Sequence, residues 1–487
     1  FALIGSILYM ALPYHLTVDL YYRFAFAEYW SFVWIPLILY FSRKIISGSK
    51  TNILGWAISY ALLAMTHLPT LIIFSPVPIF YILLMPSRHQ RKQALTRLVA
   101  AITLGIGLSA IYWLPAMTTQ EYVSMGVLRE GVFFYGNLFL FSDPGAHEKE
   151  FWRYLEVLTL LMGGLACCTF IIARQNPLIA IRRESRYWIV IAFIALFMTL
   201  PLSRPIWEVI PVVQRISFPW RFNTILTVAT TVLFSLAISS LESSINFFNK
   251  RNLGIFILLI MSLLLTVIQF LPMQRQIQFP WFYNTVLIIA TIALLTLAIC
   301  YLKKPVNFFR QKPLVIVILL TTSLLLTSGL VIKKRLFMAP DVETALEISM
   351  DAAEYRPRWV PRELFESSSE LSKRFAQAQV TSGQGSLLVQ QWEPRKIVLQ
   401  TNATTNIWLT LHQFYYPGWT ARLTDNKNKS DLLLVEPSKP EGLLRVQVPS
   451  GKQEIWLTLD TALEERVGQV LSTVSGLMTL FLGLLWR

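Results

Sequence analysis

Tyr14–Lys44 reads YHLTVDLYYRFAFAEYWSFVWIPLILYFSRK, and this stretch sets the class of the whole chain. A mixed opening that carries Asp19 and Arg23 gives way to an apolar run over 24–42, which ends on Arg43-Lys44. A run of that length crosses a hydrocarbon core of about 30 Å as a helix. Cationic flanks resist translocation, so the Arg43-Lys44 side reads as cytoplasmic and the Asp19–Arg23 side as external.

The same alternation continues outward. Further apolar runs occupy 1–13, 52–66, 69–86, 98–117, 154–173, 187–203, 219–240, 254–272, 282–302, 313–332 and 468–486, giving about 12 candidate spans. Every second gap is basic: Arg43, Lys44 and Lys50; Arg88, Arg91, Lys92 and Arg97; Arg174, Arg182, Arg183 and Arg186; Lys250 and Arg251; Lys303, Lys304, Arg310 and Lys312. The remaining gaps and the polar stretch 334–467 then fall outside. Pro205 and Pro211 mark 204–218 as a candidate re-entrant segment, and the aromatics of the long loop 118–153 suit the headgroup level.

Composition agrees. Of 487 residues, 54% are hydrophobic and 15% charged, against about 25% charged in an average soluble chain. The net charge of +15 sits largely in the inside loops, so topology explains it and the expected partner is membrane lipid, not nucleic acid. Cys167, Cys168 and Cys300 lie in apolar runs, and 334–467 has no cysteine, so its own core must hold it. Residue 1 already belongs to an apolar run and the chain stops just after another, so sequence is expected to be missing at both ends.

From Ser386 the period changes to two. Ser386–Gln391, Arg395–Thr401, Asn406–His412, Trp419–Thr424, Leu432–Val435, Leu443–Val448 and Glu454–Asp460 read as strands separated by Pro, Gly, Asn and Asp turns. Asp341–Ala353 reads as a short helix before them. The expected architecture is an α-helical polytopic membrane bundle over 1–333, an extracytoplasmic β-sandwich domain over 334–467, and a closing span over 468–487.

One internal similarity stands out: ISFPWRFNTIL from Ile216 recurs as IQFPWFYNTVL from Ile277. A shared helix start explains most of it, with Pro in the first turn and Trp as an interfacial anchor. Arg221 departs, because the second copy has Phe282 there.

Three groups carry candidate chemistry. Asp19 and Arg23 stand one helical turn apart, and Glu28 lies inside an apolar run, where a carboxylate is costly unless paired or functional. They suit an acidic and cationic wall for a sugar phosphate, and equally a structural ion pair. His67, at the external end of a span, suits a proton shuttle or phosphate donor, or a plain helix-end partner. Trp220-Arg221, with Arg204 and Arg215, suits a lipid-carrier phosphate, or arginines snorkelling to headgroups. No P-loop, GxSxG, HExxH or glycine-rich dinucleotide motif occurs, and His15, His67, His89, His147 and His412 are too scattered to assign a metal site.

PYHLTVDLYYRFAFAEYWSFVWIPLIL, ISFPWRFNTIL, EYRPRWVP and YYPGWTARL followed by GLLRVQVPSGKQEIWLTL together resemble one bacterial family across nearly the whole chain. It is the group of polytopic membrane proteins with a 6-pyruvoyl-tetrahydropterin synthase-related domain, close to YfhO-like proteins. That group is similar to the GT-C glycosyltransferase superfamily. The resemblance implies an inner-membrane enzyme that takes sugar from a polyprenyl-phosphate donor and passes it, with inversion, to an envelope glycan or protein on the external face. It implies an acidic residue that activates the acceptor or binds a divalent metal, and basic residues that hold the donor phosphate. The first external loop of that pattern would lie before Phe1, which leaves Asp19 and Glu28 as catalytic candidates and Arg23, His67, Arg215, Trp220 and Arg221 as phosphate-binding candidates. The zinc-liganding histidines of pterin synthase chemistry have no counterpart. A lipid-linked glycan flippase and a non-catalytic envelope assembly protein are the competing readings.

Overall fold

A computed structural model of the protein describes residues 2–48, 50–124, 126, 134–142, 149–243, 356–360, 377–423 and 431–486. The expected spans 254–272, 282–302 and 313–332, the helix Asp341–Ala353 and the second copy of the repeat lie outside the described residues. Described parts of Phe1–Ile106, Val132–Ala339 and Thr479–Arg487 make one compact unit, and those of Gly107–Gly131 and Pro340–Met478 a second.

The first unit is helical. α1 (Ala2–Ala11) leads through Pro13 into a π-helix, Tyr14–Tyr22, whose wide turn closes with Arg23 N–H donating to Val18 O at 2.9 Å. α2 (Phe26–Ser47) has Glu28 in its first turn, where an anion suits the helix dipole, and stops at Gly48, whose φ of +108° only glycine adopts freely. α3 (Thr51–Thr66) follows, then α4 (Leu68–Phe74) and α5 (Pro76–Leu84), split where Pro76 has no N–H to give. After α6 (Arg88–Leu108), and beyond α7 (Ala110–Thr118), which belongs to the second unit, come α8 (Lys149–Ala173), α9 (Ile179–Met198), α10 (Arg204–Val209), α11 (Pro211–Gln214) and α12 (Asn223–Ser243).

Small polar residues join α8 to α12. Asn223 and Thr159 exchange hydrogen bonds at 2.9 and 3.1 Å near one end, and Thr230 donates to Met162 O at 3.3 Å farther along. Such pairs hold helices together where apolar burial alone gives little preference.

Among the described residues, three helices are long and apolar enough to cross a membrane: Phe151–Ala173, Pro219–Ser240 and Leu463–Leu485. Two more candidates are bent pairs, α6 with the segment from Ala110 to Tyr122 (70°) and α9 with Pro201–Val209 (91°). The count of about 12 spans is therefore not reproduced among these residues. Thr51–Thr66 is short, Leu68–Leu84 is broken at Ser75-Pro76, and tryptophan, tyrosine and charged residues dilute the apolar character of α2. The segment expected to be re-entrant follows a 91° bend after α9 and holds two short helices, α10 and α11, an arrangement that suits either a broken span or a re-entrant loop. Of the loop aromatics, Tyr135 and Phe139 are buried against Trp207, with ring centroids 5.4 and 5.8 Å away, while Phe141 is exposed.

In the second unit, alternating strands, interrupted by register shifts at Val380/Ser382, Val389/Gln391 and Leu411/Phe414, build two antiparallel sheets. With β1 (Ala378–Ser382), β2 (Gly385–Glu393), β3 (Lys396–Ala403), β4 (Ile407–Phe414), β5 (Trp419–Leu423), β6 (Leu432–Leu433), β7 (Val435–Pro437), β8 (Leu443–Val448) and β9 (Gly451–Leu459), the orders are β1-β4-β8-β7 and β2-β3-β9-β5-β6. Inward residues from both sheets, including Leu399, Leu409, Val446 and Leu457, form one core. Gly383 makes the β1–β2 turn at φ +86°, with Asn406 O only 2.5 Å from where a Cβ would stand. α13 (Leu463–Leu485) continues from β9 after a short connection.

Candidate functional site

The π-helix, the first turn of α2 and the short helical turn Pro219–Phe222 before α12 bring four charges together. Arg23 Nη1 donates to Asp19 Oδ1 at 3.0 Å and to Glu28 Oε2 at 2.9 Å. Arg221 Nε donates to the same Glu28 oxygen at 3.1 Å, and its Nη1 to Ile216 O at 2.6 Å. Tyr14 OH donates to Glu28 Oε1 at 3.3 Å. Two carboxylates meet two guanidiniums, so the charges cancel, as burial demands.

Aromatic rings frame the cations. Arg23 lies 4.4 Å from the Trp220 ring centroid and Arg221 4.6 Å from that of Phe218. Two backbone positions beside the cluster adopt positive φ without being glycine: Phe24 at +52° and Ser217 at +65°. Such strain is held only where surrounding contacts over-determine it, and it concentrates at functional sites.

The layering of the cluster matters most. Asp19 and Glu28 side chains are 0% and 1% exposed, whereas Arg23 and Arg221 are 17% and 12% exposed. Anions form the floor and cations the accessible rim. Arg23 Nε and Nη2 and Arg221 Nη2 stand outside the bonds just given. The two carboxylates also differ. Glu28 has both oxygens engaged, while Asp19 Oδ2 is buried without a hydrogen-bond partner.

Of the residues singled out in the sequence, Asp19, Arg23, Glu28, Trp220 and Arg221 meet. His67 lies within electrostatic reach of Glu28, Arg23 and Arg221. Its Nδ1 accepts from Thr70 N–H at 3.3 Å and lies 2.8 Å from the Thr70 hydroxyl, so it caps α4. That bond leaves its ring proton on Nε2 in the neutral form. Arg215 is solvent-exposed, unlike the cluster, and Arg204 pairs with Glu208 at 2.9 Å on the surface. Sequence reasoning gave no role to Tyr14 or Phe218. Tyr14 carries no charge, and Phe218 is common to both copies of the repeat, so the contrast that exposed Arg221 is silent about it.

Among the described residues, no three His, Cys, Asp or Glu side chains group as metal ligands. Asp19 and Glu28 also suit a divalent metal poorly, because both already face guanidiniums that would repel a second cation.

Among the described residues, helices dominate the N-terminal part, two of them straight, long and apolar enough to cross a membrane, and antiparallel sheets followed by a third such helix form the C-terminal part; that is the class these features define. No protein-family model, curated protein or solved structure matches the chain.

Proposed function

We propose that the protein is a multi-span glycosyltransferase of the bacterial inner membrane, YfhO-like and related to the GT-C superfamily. It would move a sugar from a polyprenyl-phosphate donor to an envelope glycan or protein on the external face, where the β-sandwich domain also lies. One observation supports this above the others: a cationic rim of Arg23 and Arg221 over a buried acidic floor with one free carboxylate oxygen.

In this reading the free guanidinium donors of Arg23 and Arg221 bind the donor phosphate. They stabilise the charge that grows as the anomeric carbon–oxygen bond breaks and polyprenyl phosphate leaves. The acceptor oxygen forms the new bond to the anomeric carbon, and its proton passes to Asp19. Glu28, already holding both arginines and Tyr14, sets their position. Since Asp19 Oδ2 is buried, the cluster has to open before an acceptor hydroxyl reaches it.

The test uses the full protein in nanodiscs with polyprenyl-phosphate carrying a radiolabelled hexose and an envelope-glycan acceptor. Label is expected to leave the lipid with wild-type protein, and to stay there with Arg221→Ala or Asp19→Asn of equal abundance. Undiminished transfer by both variants would remove the enzyme reading from this site. A non-catalytic assembly role has one observation in its favour, the full engagement of Glu28, which is also what an ion lock between helices requires.

A further inference from the structure

The opposite end of the helical unit carries a second charged feature. Glu28 and Arg43 stand at the two ends of α2, about 22 Å apart at 1.5 Å per residue. Hydrogen bonds show that other basic segments gather at the Arg43 end. Arg97 Nη1 of α6 donates to Ile45 O of α2 at 3.1 Å, and Arg183 of α9 donates to Leu84 O at the end of α5. Tyr81 of α5 donates to Glu184 of α9 at 2.5 Å, and the charge of Arg43 reaches Tyr81. Arg43, Arg183 and Arg186 are all exposed.

Acidic residues do not balance them. In the described parts of 41–50, 84–98 and 174–186, Glu184 is the single carboxylate, and Tyr81 already engages it. Outward-facing apolar side chains accompany the cations: Leu84, whose carbonyl accepts from Arg183, is 51% exposed, and Ile179, one helical turn before Arg183, is 73% exposed. Cations next to outward-facing hydrocarbon are what an amphiphile with an anionic head matches. A soluble anion gains nothing from Ile179 or Leu84, and a neutral lipid gains little from the arginines.

We infer that the junction of α2, α5 and α9 is a binding site for an anionic phospholipid. Its phosphate would lie against Arg43, Arg183 and Arg186, and its acyl chains against Leu84 and Ile179. The site is independent of the ionic cluster around Glu28 and of the transfer reaction proposed for it. Cationic side chains near an anionic bilayer surface contribute roughly 1 kcal/mol each, so three of them correspond to about a hundredfold in lipid retention.

The experiment places the full chain in nanodiscs of phosphatidylcholine, with and without phosphatidylglycerol, and reads thermal unfolding together with lipid retained in native mass spectrometry. Phosphatidylglycerol is expected to raise the midpoint and to stay bound. Arg43→Gln/Arg183→Gln/Arg186→Gln should lower retention about a hundredfold, while the matching lysine triple keeps most of it. Glycerol phosphate in solution should not reproduce the shift. The inference is overturned if phosphatidylcholine is retained equally, if glycerol phosphate stabilises as well, or if the folded glutamine triple keeps wild-type retention. Should that triple misfold, the wild-type comparison of the two lipids still decides.

Discussion

Arg221 Nε lies 3.1 Å from Glu28 Oε2 across 193 residues of chain, and Arg23 Nη1 reaches the same oxygen at 2.9 Å. One buried carboxylate oxygen thus joins the start of α2 to the approach of α12. Removing it leaves two partly buried guanidiniums facing each other. Breaking a buried pair by deleting one partner costs about 3–5 kcal/mol, because the remaining charge stays desolvated. Glu28→Gln is expected to destabilise by that order, measured by unfolding of the full chain in lipid nanodiscs. Combining it with Arg221→Gln should cost less than the two singles added, with a coupling of about 1–3 kcal/mol. Strict additivity would show that the pair does not act as a unit.

Asp19→Asn separates the two carboxylates by role. Its side-chain oxygen can still accept from Arg23, so stability should fall by less than in Glu28→Gln. The proposed transfer, however, needs the oxygen that has no partner, and an amide cannot take up a proton there. The expected pattern is near-normal unfolding, near-normal donor binding and lost turnover. Lost donor binding in Asp19→Asn would assign this residue to the phosphate site.

Much of this cluster was legible as parts and not as a whole. Asp19 and Arg23 stand at a helical spacing, Glu28 was conspicuous as a charge in an apolar run, and Arg221 as a charge absent from the second copy of its motif. Their meeting was not legible, since no local pattern encodes a contact across 193 residues. The strands from Ser386 onward declared themselves by alternation. Ala378–Ser382 did not, because AQVTS is short and nearly free of large apolar groups. The bend after α6 was hidden by continuous apolar sequence, which reports burial and says little about direction, whereas Pro205 and Pro211 had marked the segment beyond the bend after α9 as irregular.

One of those bends yields a test in the second unit. Ser472 Oγ accepts from Ile111 N–H at 2.8 Å and donates to Gly107 O at 3.1 Å, satisfying backbone groups that the break at Ser109 takes out of the helical ladder. Ser472→Ala should cost about 0.5–1.5 kcal/mol, the net worth of an ordinary hydrogen bond, because the Ile111 side is exposed. Gly468→Leu should cost more, since a Cβ there would stand 2.7 Å from Ala110 O. Protease resistance of the full chain reads both. Equal resistance of Gly468→Leu and wild type would mean that α13 does not press against α7 at this point.

Within the sheets, burial and surface charge make opposite forecasts. Leu409 is fully buried in the shared core, and truncation to alanine removes apolar contacts and leaves a cavity, at a cost of about 2–5 kcal/mol. Arg395 makes a two-pronged pair with Glu465 at 2.8 and 3.0 Å, but the two side chains are 50% and 29% exposed. Solvent screens such a pair and ordering two long side chains opposes it, so Arg395→Ala should cost no more than about 1 kcal/mol, and less in high salt. Comparing the two variants by hydrogen exchange at β3, β4 and β9 checks both forecasts, with loss of protection expected for Leu409→Ala alone. Comparable losses in both would mean that Arg395 anchors the β2–β3 turn to α13 more firmly than its exposure implies.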